Sequence, residues 1–227
     1  MSPTRAADPF YAQYVLGNIG LVGIITLVNT GITLVVTPFI PKIIDRFGKK
    51  NVFQFCGVFT VVGGVGLFFA PANMFWLVLL TLAIKGVGAS LINTVMFGLE
   101  ADTVEYGEWM TGKRSEGATY ALFSFTRKVT QSIGGAVGAW ALAVGGYVAA
   151  SAVNPSPVQP DSAIIAIKAT IGLLPAVCAL IAMLIFIRYP LTDARFKEIR
   201  NETETRKLAA VAAQHENPDD FAPDHRA

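Results

Sequence analysis

Five long apolar stretches constrain this chain more than anything else in it. They run from about Ile19 to Ile40, Val52 to Ala70, Met74 to Leu99, Ala118 to Ala150 and Ala163 to Ile187. A helix needs about 20 predominantly apolar residues to cross the hydrocarbon core of a bilayer, and most of these stretches lack a polar face to turn toward water. Only 15% of the residues are charged and 53% are hydrophobic, whereas a soluble domain carries about a quarter charged residues. The expected fold class is all-α, a polytopic membrane helix bundle. Residues 1–18 read as the end of a preceding membrane helix and an external loop, and residues 19–190 as a five-helix transmembrane bundle. Residues 191–227 read as a polar cytoplasmic tail, partly disordered, with a short amphipathic helix over Asp193–Ala213.

Basic residues in the connections set the orientation. Lys42, Arg46, Lys49 and Lys50 follow the first span, Lys113 and Arg114 the third, and Arg188, Arg195, Lys197, Arg200, Arg206 and Lys207 the fifth. The alternate connections, 71–73 and 151–162, hold neither Lys nor Arg. The first set is therefore expected on the cytoplasmic side, with the C-terminus inside and the N-terminus outside. The opening residues, MSPTRAADPF, lack the apolar core of a cleaved signal. An external start of this kind points to a chain that begins where an earlier membrane helix ends, because secondary carriers are built from paired helix repeats.

Other function classes find little support. A net charge of +2 without Lys/Arg runs interleaved with aromatics gives nucleic acid nothing to bind. Cys56 and Cys178 each lie in an apolar run, as small packing residues do, and His215 and His225 are both in the tail, so no metal site is expected. There is no nucleophile elbow, HExxH, phosphate-binding glycine loop or CxxC; the chain reads as no enzyme and needs no cofactor.

Chemistry concentrates between Glu100 and Lys128, EADTVEYGEWMTGKRSEGATYALFSFTRK. Ionisable groups at membrane depth cost a few kcal/mol each and mark substrate or ion pathways. With Ala118–Ala143 placed on a helix, Tyr120, Ser124 and Lys128 recur every four residues and share one face, with Gln131 close to one turn further. Such a stripe should face a water-filled cavity, where an ammonium beside a tyrosine could fix an anionic or hydroxyl-rich ligand. The plainer alternative pairs Lys128 with a carboxylate on a neighbouring helix. Arg127 points about 100° away and suits an interhelical contact.

The acidic loop before this helix, with Glu100, Asp102, Glu105, Tyr106, Gly107 and Glu108, is expected on the same side as Arg46, Lys49, Lys50, Lys113 and Arg114, facing the basic turn that Asp45 and Arg46 open. Exposed pairs worth at most about 1 kcal/mol each suit a gate that breaks on every cycle. Gly107 and Gly112 would let that loop turn, and Gly48 the basic one. Lys85, in mid-span, has no visible partner, and Lys168 can snorkel outward. Gly134 and Gly138 form a small-xxx-small pair for close helix approach.

The interval from Glu100 to Lys128 resembles the signature between the tenth and eleventh helices of the glycoside–pentoside–hexuronide:cation symporters, a branch of the major facilitator superfamily. FYAQYVLGN resembles the end of their seventh helix, DRFGKKN the loop after the eighth, and YPLTDARFKEI the start of the tail. The forms EADTVEYGEW and EGATYALFSFTRK are most similar to the glucuronide carriers within that family. The resemblance covers about residues 9 to 200 and implies the C-terminal half of a twelve-helix carrier working by alternating access in the cell (inner) membrane. It also implies a coupling cation, proton or sodium, and a sugar or glucuronide substrate, with cation-binding carboxylates on a first half that this chain lacks. Lys128 takes the position of the eleventh-helix lysine near the sugar and cation sites, and Asp102, Tyr106, Gly107 and Glu108 match the inner-gate motif. The rival reading is a non-transporting membrane fragment, or a separately encoded half that must assemble with a partner half.

Overall fold

The computed structural model describes residues 3–149, 157–188 and 193–216; the end of the expected fourth span, much of the Ser151–Ser162 connection and the last eleven residues lie outside them. The described residues are helical, without a strand. Helix α1 (Pro3–Phe10) runs into a π turn over Tyr11–Val15, and α2 spans Leu21–Val36. Pro38 and Pro41 tighten the end of this span. Each lacks the N–H an α-helix would use, so the chain takes a 3-10 turn at Thr37–Phe39 and resumes as α3 (Ile40–Phe47). Gly48, at φ +78°, makes the break, and α4 (Lys49–Phe69) follows at once. Asp45, considered as a cap for this helix, makes no such bond.

Helix α5 runs unbroken from Phe75 to Thr111, 37 residues, or about 55 Å at the α-helical rise. The hydrocarbon core is about 30 Å thick, so the helix extends beyond it. The acidic interval expected as a loop is therefore helical. Gly107 lies inside the helix, and the turn falls only at Gly112, whose φ of +68° ends α5 in a left-handed cap. After it come α6 (Glu116–Val144), α7 (Asp161–Lys168), a π turn at Ala169–Leu173, α8 (Leu174–Ile187) and α9 (Asp193–Glu216).

Among the described residues, four segments are long and apolar enough to cross a membrane: Leu21–Phe47, Lys49–Phe69, Phe75–Thr111 and Asp161–Ile187. Helix α6, the expected fourth span, has the length at 29 residues but is not among them. Arg127, Lys128, Thr130, Gln131 and Ser132 dilute its centre.

Helix α4 is the axis of the bundle, packed against α5 on one side and against α8 and its π turn on another, with α2 on α5. Glycines make this possible. A Cβ on Gly63 would lie 2.4 Å from the Lys85 backbone nitrogen, one on Gly64 2.5 Å from the Gly172 carbonyl oxygen, and one on Gly88 2.5 Å from the Cys56 carbonyl oxygen. Gly138, expected at a tight helix crossing, meets only a Thr170 methyl at 3.4 Å. Two apolar clusters fill the bundle. One, around Tyr11, Leu67, Leu82 and Ile171, lies toward the end where α4 finishes; the other, around Ile40, Val52, Cys56 and Leu99, lies toward the basic end.

The same close seam disposes of Lys85. The residue is 8% exposed, and its ammonium donates to the Ile171 carbonyl at 3.0 Å, inside the π turn where backbone bonding is irregular. Lys168 likewise turns inward and donates to Ala70 O at 3.1 Å, the C-terminal cap of α4, where a cation meets the negative end of the helix dipole.

Candidate functional site

Three groups of polar side chains emerge, and they divide the residues singled out from sequence. The first gathers at the basic end, where α5 leaves the bundle. Lys49 opens α4 and holds Asp102 across the helix pair, with Nζ 2.5 and 2.6 Å from the two carboxylate oxygens. The Asp102 side chain is 8% exposed and that of Lys49 23%, so the pair is largely shielded from water. Glu108 accepts from Arg114 at 3.0 Å and from Lys207 at 2.6 Å. Arg114 also reaches Glu116 at 2.6 Å. Hydrogen bonds that the Arg114 guanidinium donates to Glu116 and then Glu108 raise its pKa further, keeping it charged.

Lys207 belongs to α9, which docks on the end of α5. Trp109 Nε1 donates to Glu202 at 2.7 Å, Arg206 donates to the Trp109 carbonyl at 3.2 Å, and the Arg195 guanidinium lies 5.7 Å from the Trp109 ring centre. Tyr106 packs its ring 5.7 Å from the same tryptophan. Sequence reasoning placed a short amphipathic helix on the surface here and missed Trp109, Glu202, Arg206 and Lys207 as members of the cluster. Helical spacing of charge is visible in ARFKEIRNETETRK, but nothing local tells which helix end it meets.

Asp45 and Arg46 stand apart from this cluster. Both are exposed. Arg46 lies over the ring of Phe47, 5.5 Å from its centre, and Asp45 forms no hydrogen bond or ion pair among the described residues. Their expected contact with the acidic interval is absent in this conformation, because the neighbouring Lys49 takes Asp102 instead.

The second group lines a cleft of about 660 Å³ between α5 and α6, walled by Phe97, Glu100, Glu105, Arg114 and Tyr120. Glu100 is 8% exposed. Its Oε1 and the Oε2 of Glu105 are enclosed without a hydrogen-bond partner among the described residues. A buried polar atom left unpaired costs about 1–3 kcal/mol, more when charged. These two carboxylates are thus built to receive a donor or cation.

The third group is the stripe on α6. Tyr120 is 61% exposed and opens on the cleft. Ser124 and Gln131 are half-buried and Lys128 is exposed, with no hydrogen bond or ion pair of its side chain among the described residues. The face is uncovered because α6 buries no residue at all. It is held to α5 by Arg127, which donates to Asn93 at 2.8 Å and lies 5.0 Å from the Phe97 ring centre, the interhelical role its position suggested.

The Lys49–Asp102 pair is the contact most open to a direct test. Lys49→Met leaves a mostly buried carboxylate with one partner fewer. It is expected to lower unfolding stability in detergent by about 1–2 kcal/mol, below the 3–5 of a fully buried pair because Lys49 is partly exposed. The swapped double variant, Lys49→Asp with Asp102→Lys, should recover at least half of that in a double-mutant cycle. No recovery would mean that other contacts of the two residues carry the effect.

Long apolar helices packed through glycine seams, with ionisable clusters at one end and an uncovered polar stripe on α6, define a multi-pass helical membrane protein. The profile of the family described as MFS/sugar transport protein matches residues 1–193. The chain belongs to that family. It is 41% identical over 203 residues to the glucuronide carrier protein homolog of Escherichia coli (strain K12), covering 89% of this chain and 43% of the relative. It is 35% identical over 191 residues to a symporter of Bacillus subtilis (strain 168) named as uncharacterized, covering 84% and 40%. It is 31% identical over 210 residues to an Escherichia coli (strain K12) protein provisionally named a sulfoquinovose importer, covering 92% and 44%. The chain thus spans less than half the length of these relatives.

Proposed function

We propose that this chain is the C-terminal portion of a sugar:cation symporter, taking a glucuronide or related glycoside by alternating access in the cell inner membrane with its C-terminus cytoplasmic. The observation that carries the reading is the open Tyr120–Ser124–Lys128–Gln131 stripe on a helix with no fully buried residue. Lys128 supplies a charge for a substrate carboxylate, and Tyr120 a ring and hydroxyl for the sugar face. The coupling cation, proton or sodium, binds mainly on a partner half. Asp102, Glu105, Tyr106, Gly107, Glu108 and Arg114 form the moving inner gate. Asp45 and Arg46 join it in another state of the cycle. The names of the relatives, a glucuronide carrier homolog and a symporter, support this class of cargo.

Uptake should appear only when the stripe is faced by a second half. Cells expressing the chain with the first half of the Escherichia coli relative are expected to accumulate labelled glucuronide, and cells expressing either part alone are not. If the two parts assemble in the membrane and still move no glucuronide, the chain is a non-transporting fragment.

A further inference from the structure

We propose that a groove on the outer face of α2, α3, α4 and α5 seats an acyl chain of an anionic phospholipid, whose phosphate is received by Arg46 and Lys42. The groove measures about 490 Å³ and is lined entirely by apolar side chains, among them Val35, Phe39, Phe47, Phe55, Phe59 and Val87. Its four phenylalanines are between 44% and 62% exposed. Such rings, within helices long and apolar enough to span a bilayer, are covered by hydrocarbon. From Val52 to Phe59 the groove advances about 10 Å along α4 at the helical rise, most of one leaflet of a core about 30 Å thick.

Charge decides which lipid. On α3, Ile43 and Phe47 face the groove, while Lys42 and Arg46 recur four residues apart on the adjoining stripe. Arg46 lies over Phe47, with Cζ 5.5 Å from the ring centre, so its guanidinium sits on the groove wall. Both cations are exposed and lack a hydrogen bond or ion pair among the described residues. Their neighbours are engaged: Lys49 holds Asp102, and Lys50 donates to Ile187 O at 2.9 Å. Asp45 is the one carboxylate on α3, leaving the helix net positive. A forked guanidinium suits a phosphate group, and basic pockets beside membrane helices recruit anionic head groups. A free phosphate would use the two cations but leave the apolar groove empty, so the lipid is the ligand that fits both parts.

Native mass spectrometry of the chain from bilayers of equal POPG and POPC tests this. The wild type is expected to retain one POPG with about tenfold preference over POPC, given two basic groups near an anionic head. Lys42→Gln with Arg46→Gln should bring that preference to parity while leaving the melting temperature in POPC unchanged. Val35→Trp, at an exposed groove position, should reduce retention of both lipids. The proposal is overturned if the double variant keeps the preference, or if Lys197→Gln with Arg200→Gln on α9 abolishes it equally. It is also overturned if soluble glycerol 3-phosphate displaces the lipid as well as POPG does. Loss of the retained lipid on assembly with a first half would show that protein, not lipid, covers the groove.

Discussion

Lys128→Gln in the assembled carrier is expected to lower uptake of an acidic glycoside by about 10- to 100-fold, while a neutral glycoside of the same size loses little. A hydrogen bond to a charged group contributes about 1.5–3 kcal/mol, which is that range of rates if the contact is made in the transition state for translocation. Glutamine keeps the length and a donor but not the charge, so the acid-over-neutral ratio isolates the carboxylate contact from packing. Labelled uptake of both substrates gives the ratio directly. Equal loss of both would place Lys128 in the coupling machinery rather than at the sugar acid. No loss of either would leave the stripe without a transport role.

Gly88→Ala should be among the most disruptive single methyls added to this bundle. The new carbon would fall 2.4 Å from Thr60 Oγ1 and 2.5 Å from the Cys56 carbonyl oxygen, and the second of these is backbone that cannot rotate away. Overpacking costs about 1–3 kcal/mol and occasionally more, offset by the gain of about 1 kcal/mol of alanine over glycine in a helix. The net expectation is a loss of about 2 kcal/mol, the upper end of the difference, because backbone blocks the new carbon. At Gly23 and Gly31 of α2 an added carbon meets nothing within 4 Å, so the same change there should stabilise by about 1 kcal/mol. Equilibrium unfolding in mixed micelles should separate these sites by about 3 kcal/mol. If all three changes were equivalent, the α4–α5 seam would not be as close as described here.

The two expectations rest on different kinds of information. That Tyr120, Ser124 and Lys128 share a face follows from four-residue recurrence on one helix, and the same geometry turned Arg127 toward a neighbour. That Gly88 matters more than Gly23, Gly31 or Gly138 follows only from which helix lies opposite. Glycines look alike in an apolar run, and Gly134 with Gly138 made the more familiar pattern, yet the closest approaches to backbone are at Gly63, Gly64, Gly88 and Gly172. The acidic interval was misread for a related reason. Charge density suggested a loop, but carboxylates drawn onto Lys49, Arg114 and Lys207 are compatible with a helix that continues past the bilayer to Gly112.

By itself the sequence determined the all-α membrane class, the approximate spans, the likeness to sugar:cation symporters and the shared face of the α6 stripe. The class, the spans and the shared face depend on hydropathy, length or periodicity along one stretch of chain, and the likeness on a resemblance of contiguous motifs. Only the tertiary structure decided that Lys85 finds the Ile171 carbonyl and that α9 closes on Trp109 and Glu108. Those outcomes join residues 86, 93 or more positions apart, and depend on a π turn or a glycine seam bringing two helices within reach. Local pattern says which side of a helix is polar; what stands across from it is set by packing.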